Sequence, residues 1–369
     1  MGNPVLQFGT SRFLQAHVDL FVSEALAAGR ALGAITVVQT TSSAESRARI
    51  DALRASGRYP VRIRGRRHGE TIDREVECTA ITEALHAAND WARLREHVAG
   101  EVRVIVSNTG DSGYALFDDG AELLAGHRAP RGFAAKLAVL LHERFRAGGA
   151  PVTLLPCELV ARNGDTLRDL VIAVARGWRA DAAFVDYLIG GCVWVNSLVD
   201  RIVSEPIHPV GAIAEPYALW AVRRTAGMTL PCEHPDIVVT DDLERYERLK
   251  LLLLNLGHTV LAEQWRTRGG APDMTVGAAM DDPAYRTPLE AVWSDEVMPV
   301  FDALGERDAA LAYLDEVRDR FLNPFLAHRL ADIAGNHDVK KTRRLRPVVD
   351  LARALKLSVA QPYLIAALG

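Results

Sequence analysis

The sequence predicts an α/β domain built on a largely parallel, extended sheet, followed by a mostly α-helical domain. Three observations carry this expectation. The first half alternates short apolar runs with amphipathic stretches, as strands joined by crossover helices do. After about residue 240 the strand signals fade and helical periodicity dominates. With 369 residues, the chain is long enough for two domains that each bury a core. The boundary therefore falls near residue 240, dividing the chain into 1–240 and 241–369.

Taken in order, the apolar runs Val5 to Phe8, Ile35 to Gln39, Val102 to Ser107, Val152 to Pro156 and Cys192 to Val195 read as strands. Phe13 to Ala28, Trp91 to His97, Ala134 to Arg146 and Leu167 to Ala175 carry the 3.6-residue period of amphipathic helices. Between them the polar, Arg-rich stretch Tyr59 to Thr79 alternates like a hairpin or meander inserted in the first half. Beyond the boundary, helices fit Leu243 to Trp265, Pro288 to Leu304, Ala309 to Phe321, Asn323 to Ile333 and Pro347 to Leu355.

Composition excludes several classes. With 49% hydrophobic and 24% charged residues and a net charge of −4, the chain is neither disordered nor a coiled coil, and it carries no basic footprint for nucleic acid. Cys78, Cys157, Cys192 and Cys232 lack CxxC or zinc-finger spacing, and the 11 histidines are dispersed, so a metal-independent site is expected. Met1 to Gly9 lacks the basic and apolar regions of a signal peptide, and the longest apolar run, Leu251 to Leu254, is too short to span a bilayer. A reducing cytoplasm, without a membrane partner, fits best. Nothing in the sequence resolves an oligomeric face.

The first βα turn, Gly9-Thr10-Ser11-Arg12-Phe13, lies where a dinucleotide pyrophosphate binds, because a helix N-terminus offers unpaired N–H groups. Ser11 stands where the GxGxxG fingerprint wants glycine, so a plain turn capped by Thr10 or Ser11 is an equal reading. The Gly-rich loop Ser107 to Tyr114 follows another apolar strand, at the end where open α/β sheets bind ligands. Asn163-Gly164 reads as an ordinary turn or as a functional element. Asp200 and Arg201 follow the strand after Cys192 and could be a structural ion pair.

The segment Glu247 to His258 is the most informative. On an α-helix, with Lys250 at zero, Glu247 falls at about 60°, His258 at about 80° and Asn255 at about 140°. These polar groups share an arc on a helix that is otherwise apolar and expected to be buried. Burial lowers a lysine pKa toward the range of a general acid or base. A snorkelling Lys250 beside a core His258 is the plainer alternative.

Lys250-(x4)-Asn255-(x2)-His258, preceded by Glu247, resembles the catalytic helix of the long-chain mannitol dehydrogenase family of zinc-independent polyol and aldonate dehydrogenases. In the same order, Gly9 to His17, Ser107 to Tyr114, Asn163-Gly164, Asn196 to Ile202 and Arg320 to His328 resemble that family's other motifs. The wording Gln7-Phe8-Gly9, Ser107-Asn108-Thr109 and Pro156-Cys157-Glu158-Leu159 is most similar to its tagaturonate reductase (altronate oxidoreductase) branch.

The resemblance implies a Rossmann-like dinucleotide-binding domain at 1–240 and an all-helical substrate and catalytic domain at 241–369. It implies NAD(P)-dependent interconversion of a secondary alcohol of a sugar acid or polyol with its keto form. Lys250 would be the general base, Asn163 and Asn255 would donate to the reacting oxygen, and His258 would orient the substrate. Glu247 would couple the proton to solvent, and Asp200 and Lys340 would bind substrate oxygens. Gly9, Thr10, Ser11, Phe13, Asn108, Thr109 and Asp111 would contact the cofactor.

The departures are Ser11, Asp111 in place of the usual Glu, and Asp332 where mannitol-type members carry a substrate-contacting Arg. The chain is also shorter than usual members. NAD is the expected cofactor. NADP is the alternative, because the second strand ends without an acidic residue and Arg47 follows. A non-catalytic NAD(P)-binding or sugar-acid-sensing protein on the same fold is the competing reading.

Overall fold

The computed structural model describes residues 2–41, 43–110 and 113–369. They form two compact units. One comprises residues up to 62, 75–214 and 218–243; the other comprises 63–74, 215–217 and 244–369.

In the first unit the chain runs β1 (Val5–Phe8), α1 (Arg12–Gln15), α2 (Val18–Ala27), β2 (Ile35–Gln39) and α3 (Ala44–Ser56). A pair of long strands follows, β3 (Tyr59–Arg67) and β4 (Glu70–Cys78), and then β5 (Ile81–His86), α4 (Trp91–Ala99) and β6 (Val104–Ser107). Next come α5 (Phe133–Arg146), β7 (Val152–Pro156), α6 (Asn163–Gly177), α7 (Ala182–Gly190) and β8 (Cys192–Trp194). Six strands build one parallel sheet in the order β5-β2-β1-β6-β7-β8. The chain winds outward from β1 on one side and then restarts beside it at β6, which is the doubly wound Rossmann order. Helices cover a parallel sheet on both faces, which is why β1, β2, β6 and β7 are apolar runs buried at every position.

Five further strands are β9 (Ser197–Asp200), β10 (Val203–Pro206), β11 (Ala212–Ala214), β12 (Leu219–Arg223) and β13 (Ile237–Thr240). They make the sheets β10-β11-β3-β4 and β13-β12-β9. The expected hairpin is β3 and β4, but its outer part, Ile63–Arg74, belongs to the second unit instead of forming an insertion of the first half alone.

Two local expectations change. The single helix expected over Phe13 to Ala28 breaks at His17, whose φ of −129° and ψ of −92° are not helical. The His17 ring is buried, with Nε2 3.0 Å from the Leu219 carbonyl oxygen, and it stacks on Phe13. The helix expected over Asn323 to Ile333 shrinks to Leu330–Ile333. Asn323 precedes a proline, which disfavours helical backbone, and its Oδ1 accepts the Phe325 amide at 3.0 Å.

Leu243 to Arg268, in the second unit from Glu244 on, is a continuous helix of three parts: α8 (Leu243–Leu249), a π-helical stretch over Lys250–Asn255, and α9 (Leu256–Arg268). After α10 (Val276–Asp281), a second composite helix joins α11 (Pro283–Ala291), a π-helical stretch over Val292–Val297 and α12 (Met298–Ala303). Helices α13 (Arg307–Phe321), α14 (Leu330–Ile333), α15 (His337–Arg344), α16 (Arg346–Ala354) and α17 (Pro362–Leu368) complete it. Leu252, Leu253, Leu256, Val260, Trp293, Phe301, Leu314 and Phe321 are among its core. The segment Glu215–Tyr217 is anchored in this unit by a buried ion pair between Glu215 and Arg320 at 2.9 Å. Among the described residues, no helix is long and apolar enough to cross a membrane.

Candidate active site

In the first unit the ends of β1, β6 and β7 lie side by side, at the place where the strand order reverses. Open α/β sheets bind dinucleotides in that crevice. Gly9 has a φ of +111°, and a Cβ there would stand 2.5 Å from the Asn108 carbonyl oxygen, so glycine is required. Ser11 is different: φ of −64° and ψ of 149° suit any residue, and its Oγ accepts the Leu14 amide as an N-cap. The same hydroxyl donates to Asn108 Oδ1 at 3.3 Å, and Asn108 Nδ2 donates to the Cys157 carbonyl at 2.8 Å. Thr10 is buried and bonded to Gln39 at the end of β2, while Arg49 Nη1 donates to the Thr10 hydroxyl at 3.2 Å. Phe13 is half-buried against His17. Asp111 lies outside the described residues. These residues fit a dinucleotide: a close-approach glycine, a helix start and polar strand ends converge.

Glu158, to which the sequence reading assigns no role, organises this edge. Its buried carboxylate accepts the Thr109 amide and hydroxyl, each at 3.0 Å, and the hydroxyls of Ser107 at 3.0 Å and Tyr114 at 3.3 Å. Burial beside that carboxylate pushes the Tyr114 and Cys157 pKa values up. An acid two residues past a largely apolar strand was the available signal, since a buried carboxylate must find donors.

Asn163 is placed at the start of α6, 1% exposed. Its Nδ2 faces the carbonyls of Pro156 at 3.0 Å, Glu158 at 3.2 Å and Ser197 at 2.9 Å, and its Oδ1 accepts the Gly164 and Ser197 amides. An amide has only two N–H donors, so here both serve the backbone. Asp200 is buried at the end of β9.

In the second unit the π stretch changes the expected geometry of the lysine helix. The Leu256 amide reaches back to the Leu251 carbonyl, a five-residue span. An i→i+5 turn brings residue i+5 back toward residue i, whereas an α-helix would leave it about 140° away. Lys250 and Asn255, the first and last residues of the stretch, therefore stand on one side of the helix. Lys250 is half-buried, not buried as expected, because this polar side faces out of the core. The Asn255 side chain makes no hydrogen bond among the described residues. His258 is buried between rings, with centroids 4.4 Å from Phe321 and 5.0 Å from His328. Glu247 is exposed one turn before Lys250, and its pKa is raised by partial desolvation and by Glu244, against Arg248.

Cations stand near this helix. Lys340 Nζ donates to the Ile333 carbonyl at 2.7 Å, and its pKa is lowered by burial and by Arg344. Arg344 Nη1 is 3.3 Å from Thr259 Oγ1 and 3.5 Å from the Asn255 carbonyl oxygen. Neither has a carboxylate partner among the described residues. Burial, with Lys340 adding to it, lowers the His328 pKa, while Asp332 opposes the shift. Asp332 itself pairs with Arg329 at the surface, at 2.9 Å.

Fold and site together define a Rossmann-type dehydrogenase with a helical second domain. The chain belongs to the mannitol dehydrogenase family: residues 3–231 match the mannitol dehydrogenase Rossmann domain and residues 242–368 the mannitol dehydrogenase C-terminal domain. Similar curated proteins include the altronate oxidoreductases of Halalkalibacterium halodurans, 29% identical over 93% of this chain and 69% of that protein, and of Yersinia enterocolitica, 31% identical over 93% and 74%. Among solved structures, a D-sorbitol dehydrogenase in substrate-free form matches with a TM-score of 0.82 at 18% identity, over 99% of this chain and 79% of that one. The Pseudomonas fluorescens mannitol 2-dehydrogenase ternary complex with NAD and D-mannitol matches with a TM-score of 0.73 at 20% identity, over 99% and 78%.

Proposed function

We propose that this protein is an NAD-dependent oxidoreductase that interconverts a secondary alcohol of a sugar acid with its keto form, using Lys250 as general acid and base. The observation that carries this reading is the placement of Lys250 and Asn255 on one side of the π turn, with His258, Lys340 and Arg344 in the same unit. NAD supplies hydride transfer when bound. Lys250 takes the hydroxyl proton in the oxidising direction and returns it in the reducing direction, and Glu247 passes it to solvent. The Asn255 amide donates to the oxygen on which charge develops. In the first unit Gly9, Thr10, Ser11, Phe13, Asn108, Thr109 and Asp111 form the cofactor site. Asn163 pins the strand ends beside it, and the substrate-binding roles that the resemblance implies fall to Asp200 in the first unit and to Lys340 in the second.

Two half-buried cations without carboxylate partners among the described residues suit an anionic substrate better than a neutral polyol. The name shared by the altronate oxidoreductases supports a sugar acid. NADP is a second reading for the cofactor, favoured by Arg49 beside Thr10 at the end of β2, where the same guanidinium also pairs with Glu45 at 2.7 Å. We also assign the chain to the cytoplasm, where its four buried free cysteines stay reduced, with a small-molecule substrate and no nucleic-acid or membrane partner.

A panel of aldonates, polyols and their keto forms, assayed with NAD(H) and NADP(H), tests the reading together with Lys250→Ala. A sugar acid turning over with NAD is the expected result, with turnover falling about 10²–10⁴-fold in Lys250→Ala while cofactor binding persists. Unchanged turnover in that variant would sink the mechanism.

A further inference from the structure

The π turn that carries Lys250 and Asn255 needs a cause, because α-helical backbone is the more favourable state for these residues. In a π turn the backbone bonds no longer follow one regular ladder, and buried carbonyls must find other donors. The Leu253 carbonyl lies in this turn, three residues before the Leu256 amide that it shares with Leu251, and takes a further bond from a side chain on another helix. Trp293 Nε1 donates to it at 3.2 Å.

Trp293 is fully buried and belongs to the second π stretch, Val292–Val297, so two irregular turns meet at this bond. Its ring is seated over Gly257, where an added Cβ would lie 2.6 Å from Trp293 Cζ2 and 3.1 Å from the Phe321 ring. Phe321 in turn packs on His258. A single aromatic side chain thus contacts the helix backbone between Lys250 and Asn255 and again just before His258.

We propose that Trp293 is a positioning residue for the proton-transfer step: its bond to the Leu253 carbonyl and its seat over Gly257 hold the π register that puts Lys250 and Asn255 on one side. The inference rests on the function proposed above for Lys250. Without the indole N–H, the turn relaxes toward α-helix and Asn255 rotates away from Lys250 by up to about 140°.

Trp293→Phe keeps an aromatic ring and removes the donor. Its kcat should fall about tenfold to a hundredfold, the cost of misplacing reacting groups by about 1 Å. KM for both substrates should stay within about twofold, and the pH profile of kcat should shift, because the surroundings of Lys250 change. Should Trp293→Phe not fold, Trp293 replaced by β-(3-benzothienyl)alanine keeps the bicyclic shape and loses only the N–H, with the same outcomes expected. Wild-type kcat and an unmoved pH profile in either folded variant would overturn the proposal. Lys250→Ala run in parallel separates the two readings, since retained turnover there overturns the assignment of Lys250 itself.

Discussion

The carboxylate of Glu158 accepts both the amide and the hydroxyl of Thr109, each at 3.0 Å. One buried acid, two residues past β7, thereby holds Thr109, two residues past β6, the neighbouring strand at the nucleotide crevice. Glu158→Gln retains the size but replaces an acceptor oxygen with a donor, setting an N–H against an N–H or O–H. Loss of a charge-assisted acceptor costs about 1.5–3 kcal/mol. The KM for NAD should rise about tenfold or more, with a smaller change in kcat, as steady-state kinetics at varied cofactor would show.

Arg344→Gln removes a cation that, like Lys340, has no carboxylate partner among the described residues. Turnover of a sugar acid at low concentration should fall about tenfold to a hundredfold, the loss of one charge-assisted contact. Any polyol turned over by the wild type should lose far less. Equal losses for acid and polyol would show that the cation does not read a carboxylate.

Arg320 and Glu215 are both 2% exposed and doubly bonded, with Arg320 also lying 4.4 Å over the Tyr217 ring. Breaking a buried pair from one side leaves a charge without its partner, at a cost of about 3–5 kcal/mol. Arg320→Ala should therefore shift the urea midpoint strongly downward. A Glu215→Leu, Arg320→Met double variant should recover most of the loss.

Asp19 is fully buried and receives the Tyr59 hydroxyl at 2.7 Å, and burial raises its pKa from 3.8 to about 7. The folded chain therefore keeps a proton that the unfolded chain releases above about pH 4. This contribution to stability is fully present below pH 4 and is lost as pH rises through about 7. Asp19→Asn should flatten that slope and raise stability at pH 8, read as melting temperature against pH.

The sheet was legible because strands buried on both faces must be largely apolar: Val5–Phe8, Ile35–Gln39 and Val152–Pro156 fall where the runs do. Helix α3 was not, since AESRARIDALRAS buries only Ser46, Ile50 and Leu53 and shows little apolar face. At the site, Lys250, Asn255 and His258 stood out by spacing, yet the π turn left no mark, because α and π backbone draw on the same residues and differ by one residue of register. Glu158 and Trp293 act through bonds to residues 49 and 40 positions away, a relation that no local pattern encodes.

The division of the chain is crossed five times, at 62/63, 74/75, 214/215, 217/218 and 243/244. A chimera joined only after residue 243, meant to borrow a relative's substrate range, would bring foreign helices without their matching short segments. Gly69, whose amide is held by Asp319, and Glu215, paired with Arg320, would then face residues they did not evolve beside. Exchange of specificity between members of this family should therefore succeed only when residues 63–74 and 215–217 travel with the helical half.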